Sequence, residues 1–77
     1  MPEKTDWEAR AANLLKAELK RKGVTYSQLV EKLKDVGVKE KEVNVRNKLS
    51  RGKFQASYLL ACLAAIGVRS LRLDEAP

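Results

Sequence analysis

The sequence has no histidine and one cysteine, Cys62, in 77 residues. Without an imidazole, cysteine–histidine and serine–histidine catalysis are excluded. A zinc site would have to rest on carboxylates and a single thiolate, against the usual ligand chemistry. One cysteine cannot close an intramolecular disulfide, so a reducing, cytoplasmic setting is expected. Both prolines, Pro2 and Pro77, lie at the ends of the chain, and nothing between them breaks a helix by withholding an amide proton. The aromatics are few (Trp7, Tyr26, Phe54 and Tyr58) and sit within apolar patterns, which suits a core better than a platform for stacking RNA bases. No apolar run approaches the length of a membrane span, and the polar start, Met1 to Asp6, leads into no signal-peptide core. Paired acid and base groups, a phosphate-cradling loop and a metal-ligand cluster are also missing, so neither an enzyme nor a cofactor is expected.

What is present is charge of one sign, unevenly placed. The net charge is +6, which favours a polyanionic partner. Residues 1–42 carry ten basic and eight acidic side chains. From Val43 to Leu73 come Arg46, Lys48, Arg51, Lys53, Arg69 and Arg72 without a single acid, and Asp74 and Glu75 follow. The excess therefore lies in the second half of the chain, where a fold could gather it into a patch.

Four glycines, Gly23, Gly37, Gly52 and Gly67, each follow a run with helical apolar spacing, the place where a left-handed residue ends a helix. Three are followed by valine (Val24, Val38 and Val68), the apolar contact typical of a Schellman ending. Four segments and four stops predict an all-α domain spanning 1–77. Residues 1–5 are expected to be disordered, 6–68 to form the helical core and 69–77 to form a tail.

The first helix is predicted from about Trp7 to Lys22, capped by Thr5 or Asp6, with Trp7, Ala11, Leu14, Leu15 and Leu19 as its buried stripe. Lys20, Arg21 and Lys22 at its end suit the helix dipole. The second opens on Thr25-Tyr26-Ser27-Gln28, a capping-box pattern, and offers Tyr26, Leu29, Val30, Leu33 and Val36 as its apolar face. The fourth, Ala56 to Ile66, is apolar almost all round, as for a helix at the centre of a domain or against a partner subunit. Within it, Cys62 reads as a small core hydrophobe.

The third helix, within Val38 to Lys53, carries the chemistry. Val38, Val45 and Leu49 fall on one side with Glu42 beside them, and Arg51-Gly52 marks the end, after which Phe54 is expected to turn inward. Asn44, Asn47, Lys48 and Arg51 fall on the other side at i, i+3, i+4 and i+7. Amides and cations are the side chains that read base edges and hold phosphates in a DNA major groove. The candidate contacts are Asn44 and Asn47 for adenine or register, and Arg46, Lys48, Arg51 and Lys53 for phosphates or guanine. Val43 reads either as cover for a neighbouring helix or as an exposed apolar contact.

The stretch Leu15 to Leu33, with Lys22-Gly23-Val24-Thr25-Tyr26-Ser27-Gln28-Leu29 at its middle, resembles the first two helices of phage-repressor/Cro-like helix-turn-helix domains. Leu49-Ser50-Arg51-Gly52-Lys53 resembles the end of their recognition helix, and Leu59 to Val68 the helix after it. The resemblance implies a compact four-helix domain of repressor-like helix-turn-helix type with a C-terminal extended or short helical tail. In that family a phosphate-contacting glutamine is common at the start of helix 2. This chain has Tyr26 there with Gln28 close by, so the resemblance adds Gln28 to the candidate contacts. In the family a small residue early in helix 2 and a glycine four positions later allow a tight turn. Here those positions hold Val30 and Lys34, and the glycine comes only at Gly37, so helix 2 is expected to be about one turn, ~3.6 residues, longer, and helix 3 longer also. Arg10-Ala11-Ala12-Asn13-Leu14-Leu15-Lys16 and Asn47 to Phe54 also resemble a group of short bacterial proteins of unassigned function.

Two functions from different classes follow. One is binding of double-stranded DNA, as a small transcriptional regulator with helix 3 as the reader. The other is a protein-interaction or dimerisation module without DNA binding, a homodimer through helix 4 and residues 68–73.

Overall fold

The computed structural model describes residues 4–71, with side chains from Trp7 onward. Four α-helices occur in this span: α1 (Lys4–Lys22), α2 (Tyr26–Asp35), α3 (Glu42–Arg51) and α4 (Ala56–Ala65). Both α1 and α2 pack against both α3 and α4. Among the described residues there is no strand, and no helix is long and apolar enough to cross a membrane. The expected tail falls largely outside these residues, and its described part, 69–71, has no regular secondary structure.

Local sequence explains where the helices stop. After α1, Gly23 donates to the Lys20 carbonyl and Val24 to the Leu19 carbonyl; Gly37 and Val38 repeat the pair on Lys34 and Leu33, and Gly67 and Val68 on Ala64 and Leu63. These three bond pairs are Schellman motifs, and all three valines turn in to pack against the core. α2 starts as its sequence predicts. The Thr25 hydroxyl accepts from the Gln28 amide at 3.1 Å, and the Gln28 side chain accepts from the Thr25 amide at 2.9 Å.

The core is one cluster. Leu15, Leu29, Leu33, Val45, Leu49 and Cys62 are wholly buried, with Leu19, Leu63 and Ile66 nearly so. Burying each large aliphatic side chain is worth about 1.5–3 kcal/mol. Cys62 is thus the core hydrophobe its setting suggested, and burial pushes its thiol up to about 11. Phe54 turns inward as expected, its ring tilted against that of Tyr58 at 5.8 Å between centroids.

Several expectations are corrected. α1 begins at Lys4, so Thr5 and Asp6 lie inside its first turn instead of capping it. Its inward face is rotated from the predicted stripe: Ala12 is buried with Leu15 and Leu19, Ala11 and Leu14 are half-buried on the flank, and Trp7 is 70 % exposed. Arg10 lies over the Trp7 ring at 5.1 Å. Val36 is also exposed, because the Schellman turn sends Val38 inward in its place. α4 is less enclosed than its composition suggested, with Leu60 65 % exposed. α3 begins at Glu42, and residues 38–41 form a non-helical link, extended at Lys41, instead of its first turn.

Gly52 ends α3 and seats it on α1. Its φ of 70° is left-handed, and its amide donates to the Lys48 carbonyl. It is also buried, and a Cβ at this position would overlap the backbone carbonyl of Glu8. Only glycine meets both conditions, so the close contact between the end of α3 and the start of α1 is written at one residue.

Candidate nucleic-acid interface

Val45 and Leu49 bury one side of α3, and this fixes which residues face out. Val43, Asn44, Asn47, Ser50 and Arg51 are all exposed, followed by Lys53 beyond the helix. Val43, 52 % exposed, is therefore not cover for a neighbouring helix. Glu42, expected beside the inward residues, is exposed as well.

The carboxylate of Glu40 organises the N-terminal half of this surface. The non-helical link turns its side chain inward until only 5 % is exposed. There it accepts from Lys48 Nζ at 3.0 Å, from Asn44 Nδ2 at 3.2 Å and from the Lys41 amide at 3.1 Å. Burial alone would push the Glu40 carboxyl up, but Lys48, the nearby Tyr58 hydroxyl, the Lys41 amide and Asn44 together hold it below its ordinary value. Lys48 also lies over the Tyr58 ring, 4.2 Å from its centroid. The Tyr58 hydroxyl is buried near Glu40 and Cys62 but is aligned with no acceptor as a hydrogen bond. Burial and the Glu40 carboxylate both oppose its ionisation.

The predicted site residues therefore divide. Lys48 is the counter-ion of Glu40, and Asn44 is held by the same carboxylate. Arg46 is paired with Glu42 at 3.0 Å and lies 6.0 Å over the half-buried Tyr26 ring, whose own packing role is as expected. Gln28 closes the capping box of α2, so its amide is engaged locally. Asn47, Arg51 and Lys53 are exposed, and among the described residues their side chains enter no hydrogen bond or ion pair. Glu40 itself was missed from sequence. Its spacing of four and eight residues from Asn44 and Lys48 was the available signal.

α3 also begins without a side-chain cap, because Lys41 at that position has no acceptor to offer the first amides. A family model described as a domain of unknown function, DUF6471, matches residues 7–71. The chain belongs to that family. No curated protein and no solved structure matches it. Family membership agrees with the resemblance to short proteins of unassigned function and does not extend to a helix-turn-helix family. The DUF6471 match takes in all four helices except the first residues of α1, so Glu40, Asn44, Lys48 and Gly52 all lie within it.

Proposed function

We propose that this domain binds double-stranded DNA through the outward face of α3, as a small helix-turn-helix regulator of transcription. The observation that carries this reading is the composition of that face. Val43, Asn44, Asn47, Ser50 and Arg51 stand exposed on a helix whose opposite side is anchored by fully buried Val45 and Leu49. A rigid helix presenting amides, a hydroxyl, a cation and one aliphatic group offers the chemistry that reads base edges and the thymine methyl. Arg51 and Lys53 are placed to hold phosphates without first surrendering an ion pair, and Asn44 and Asn47 are the base readers. Arg46 and Lys48 contribute less than their charge suggests, because each has a carboxylate partner.

Gel-shift titration of mixed-sequence duplexes tests this. Binding at micromolar protein should fall steeply between low and physiological salt, and reversing Arg51 and Lys53 to glutamate should abolish it while leaving the helical spectrum intact. Those two residues make a cleaner test than Lys48, whose reversal would place two carboxylates together at Glu40. Failure to shift any duplex at low salt overturns the reading.

A second reading is favoured by Leu60, 65 % exposed on α4, and Leu71, 37 % exposed after it. These would form the contact of a homodimer or partner-binding module built on α4 and residues 68–73, of which 72 and 73 lie outside the described span. Under that reading the Arg51 and Lys53 reversals leave association unchanged, and Leu60→Glu removes it.

A further inference from the structure

We infer that Asn44 is the side chain that selects adenine, and that Glu40 is the positioning residue that fixes its amide for this purpose. The inference rests on the DNA-binding reading above and names the base that this face of α3 discriminates.

An asparagine amide can turn end over end, exchanging its oxygen and nitrogen at little cost, and a freely turning amide matches a donor–acceptor pair in either order. Asn44 does not have that freedom. Its Nδ2 lies 3.2 Å from Glu40 Oε1, and a carboxylate has only lone pairs to offer. Reversing the amide would set two acceptors against each other, so the polarity is dictated by chemistry. Glu40 can play this part because it stays ionised while its side chain is almost wholly enclosed. Lys48 at 3.0 Å supplies the counter-charge and the Lys41 amide a further donor.

One N–H and the carbonyl oxygen of Asn44 are then left for a ligand. Among the base edges of the major groove, adenine presents an acceptor, N7, beside a donor, the N6 amino group. Guanine presents two acceptors there, so the Asn44 oxygen would face another oxygen or nitrogen lone pair. Cytosine offers only its amino donor and thymine only one acceptor beside a methyl group. Asn47 provides the internal control. It is exposed on the same helix, but among the described residues nothing holds its amide in one orientation.

Selection of bound duplexes from a randomised pool by the full chain, at low salt and with sequencing of the retained fraction, tests the proposal. The unsubstituted protein should enrich adenine at one position by roughly ten- to a hundredfold over guanine. Asn44→Ala, a surface change that leaves the fold in place, should flatten the profile at that position alone. Glu40→Gln, isosteric but able to donate as well as accept, should release the amide and reduce the preference several-fold while bulk binding to the pool persists. Asn47→Ala should alter the profile at a different position and leave the adenine position of Asn44 standing. A protein that binds duplexes with no adenine position, or whose profile is unchanged in Asn44→Ala, overturns the inference with DNA binding intact. A protein that retains no duplex at all overturns both readings.

Discussion

The two ends of α3 are held by different physics. At the N-terminal end, Glu40 and Glu42 draw Asn44, Lys48 and Arg46 into hydrogen bonds and ion pairs. At the C-terminal end the restraint is shape: Gly52, left-handed and without a Cβ, lies against the Glu8 backbone. Arg51 and Lys53 flank it with no carboxylate partner among the described residues. Positive charge counted along the sequence is therefore a poor guide to positive charge available to a ligand. Four cations between Val43 and Lys53 reduce to two that are uncommitted.

The steric end should be the more fragile. Gly52→Ala must place a Cβ into the Glu8 carbonyl while holding a φ that L-residues avoid, so the contact between α1 and α3 has to open. A left-handed alanine costs about 1–2 kcal/mol, and displacing packed backbone adds to it, so a total of about 3 kcal/mol or more is expected. Gly23→Ala separates the two contributions. Its φ of 69° is nearly the same, but a Cβ there meets nothing within 4 Å, and about 1 kcal/mol should be lost. Urea denaturation of both variants makes the measurement. Equal midpoints would show that the close approach to Glu8 has no energetic weight.

The electrostatic end should respond to pH. The folded-state pKa of Glu40 is lowered, so its contribution is fully present above the unfolded carboxylate pKa of ~4 and is lost as pH falls through the folded value. Lys48→Met removes the largest of the effects that offset burial, and the carboxyl should then shift upward. The Glu40 contribution should fall less on acidification in the variant than in the parent. At neutral pH the variant should be weaker by about 1–2 kcal/mol, a modest figure because Lys48 is 40 % exposed and partly screened. The gap between parent and variant denaturation midpoints should therefore narrow from neutral pH toward pH ~4 and below. A gap that does not narrow on acidification would show that Glu40 and Lys48 are not energetically coupled.

How far the sequence revealed this depended on the range of each interaction. The Gly–Val stops and the Thr25–Gln28 box are closed within six residues by local hydrogen bonds, and they were legible outright. The pairing of Val45 with Leu49 follows from helical period alone and held. The stripe on α1 failed at Trp7 because the period permits two adjacent faces. The choice between them is made by the packing of α1 with α3 and α4, and the face that ends up buried carries Ala12, Leu15 and Leu19. Glu40 was invisible for a related reason. A continuous helix from Val38 would have put it on a solvent face, and it reaches Lys48 only because the Val38 amide bonds back to Leu33 and the chain then stays non-helical through Lys41. Gln28 had two readings, a cap from the local pattern and a DNA contact from the resemblance. Local bonding settled its place in the cap.

The smallest expected effect lies at the join between the two kinds of restraint. Tyr58 on α4 supports the polar end of α3 with its ring, under Lys48, while packing against Phe54 just past the C-terminal end. Its hydroxyl is enclosed without an aligned hydrogen bond, so its desolvation cost is offset only by its dipole acting on the Glu40 carboxylate. Tyr58→Phe keeps the ring, the contact with Lys48 and the contact with Phe54. It removes the desolvation cost of the hydroxyl and also the dipole that helps Glu40 stay charged. These two consequences oppose each other, and at neutral pH the net change should fall within about ±0.5 kcal/mol. In acid, where Glu40 is protonated and needs no such help, only the first survives, and Tyr58→Phe should become the more stable protein. A loss above about 1 kcal/mol at every pH would mean that the hydroxyl is bonded after all, and that the polar end of α3 depends on α4 more strongly than on the counter-charge of Lys48.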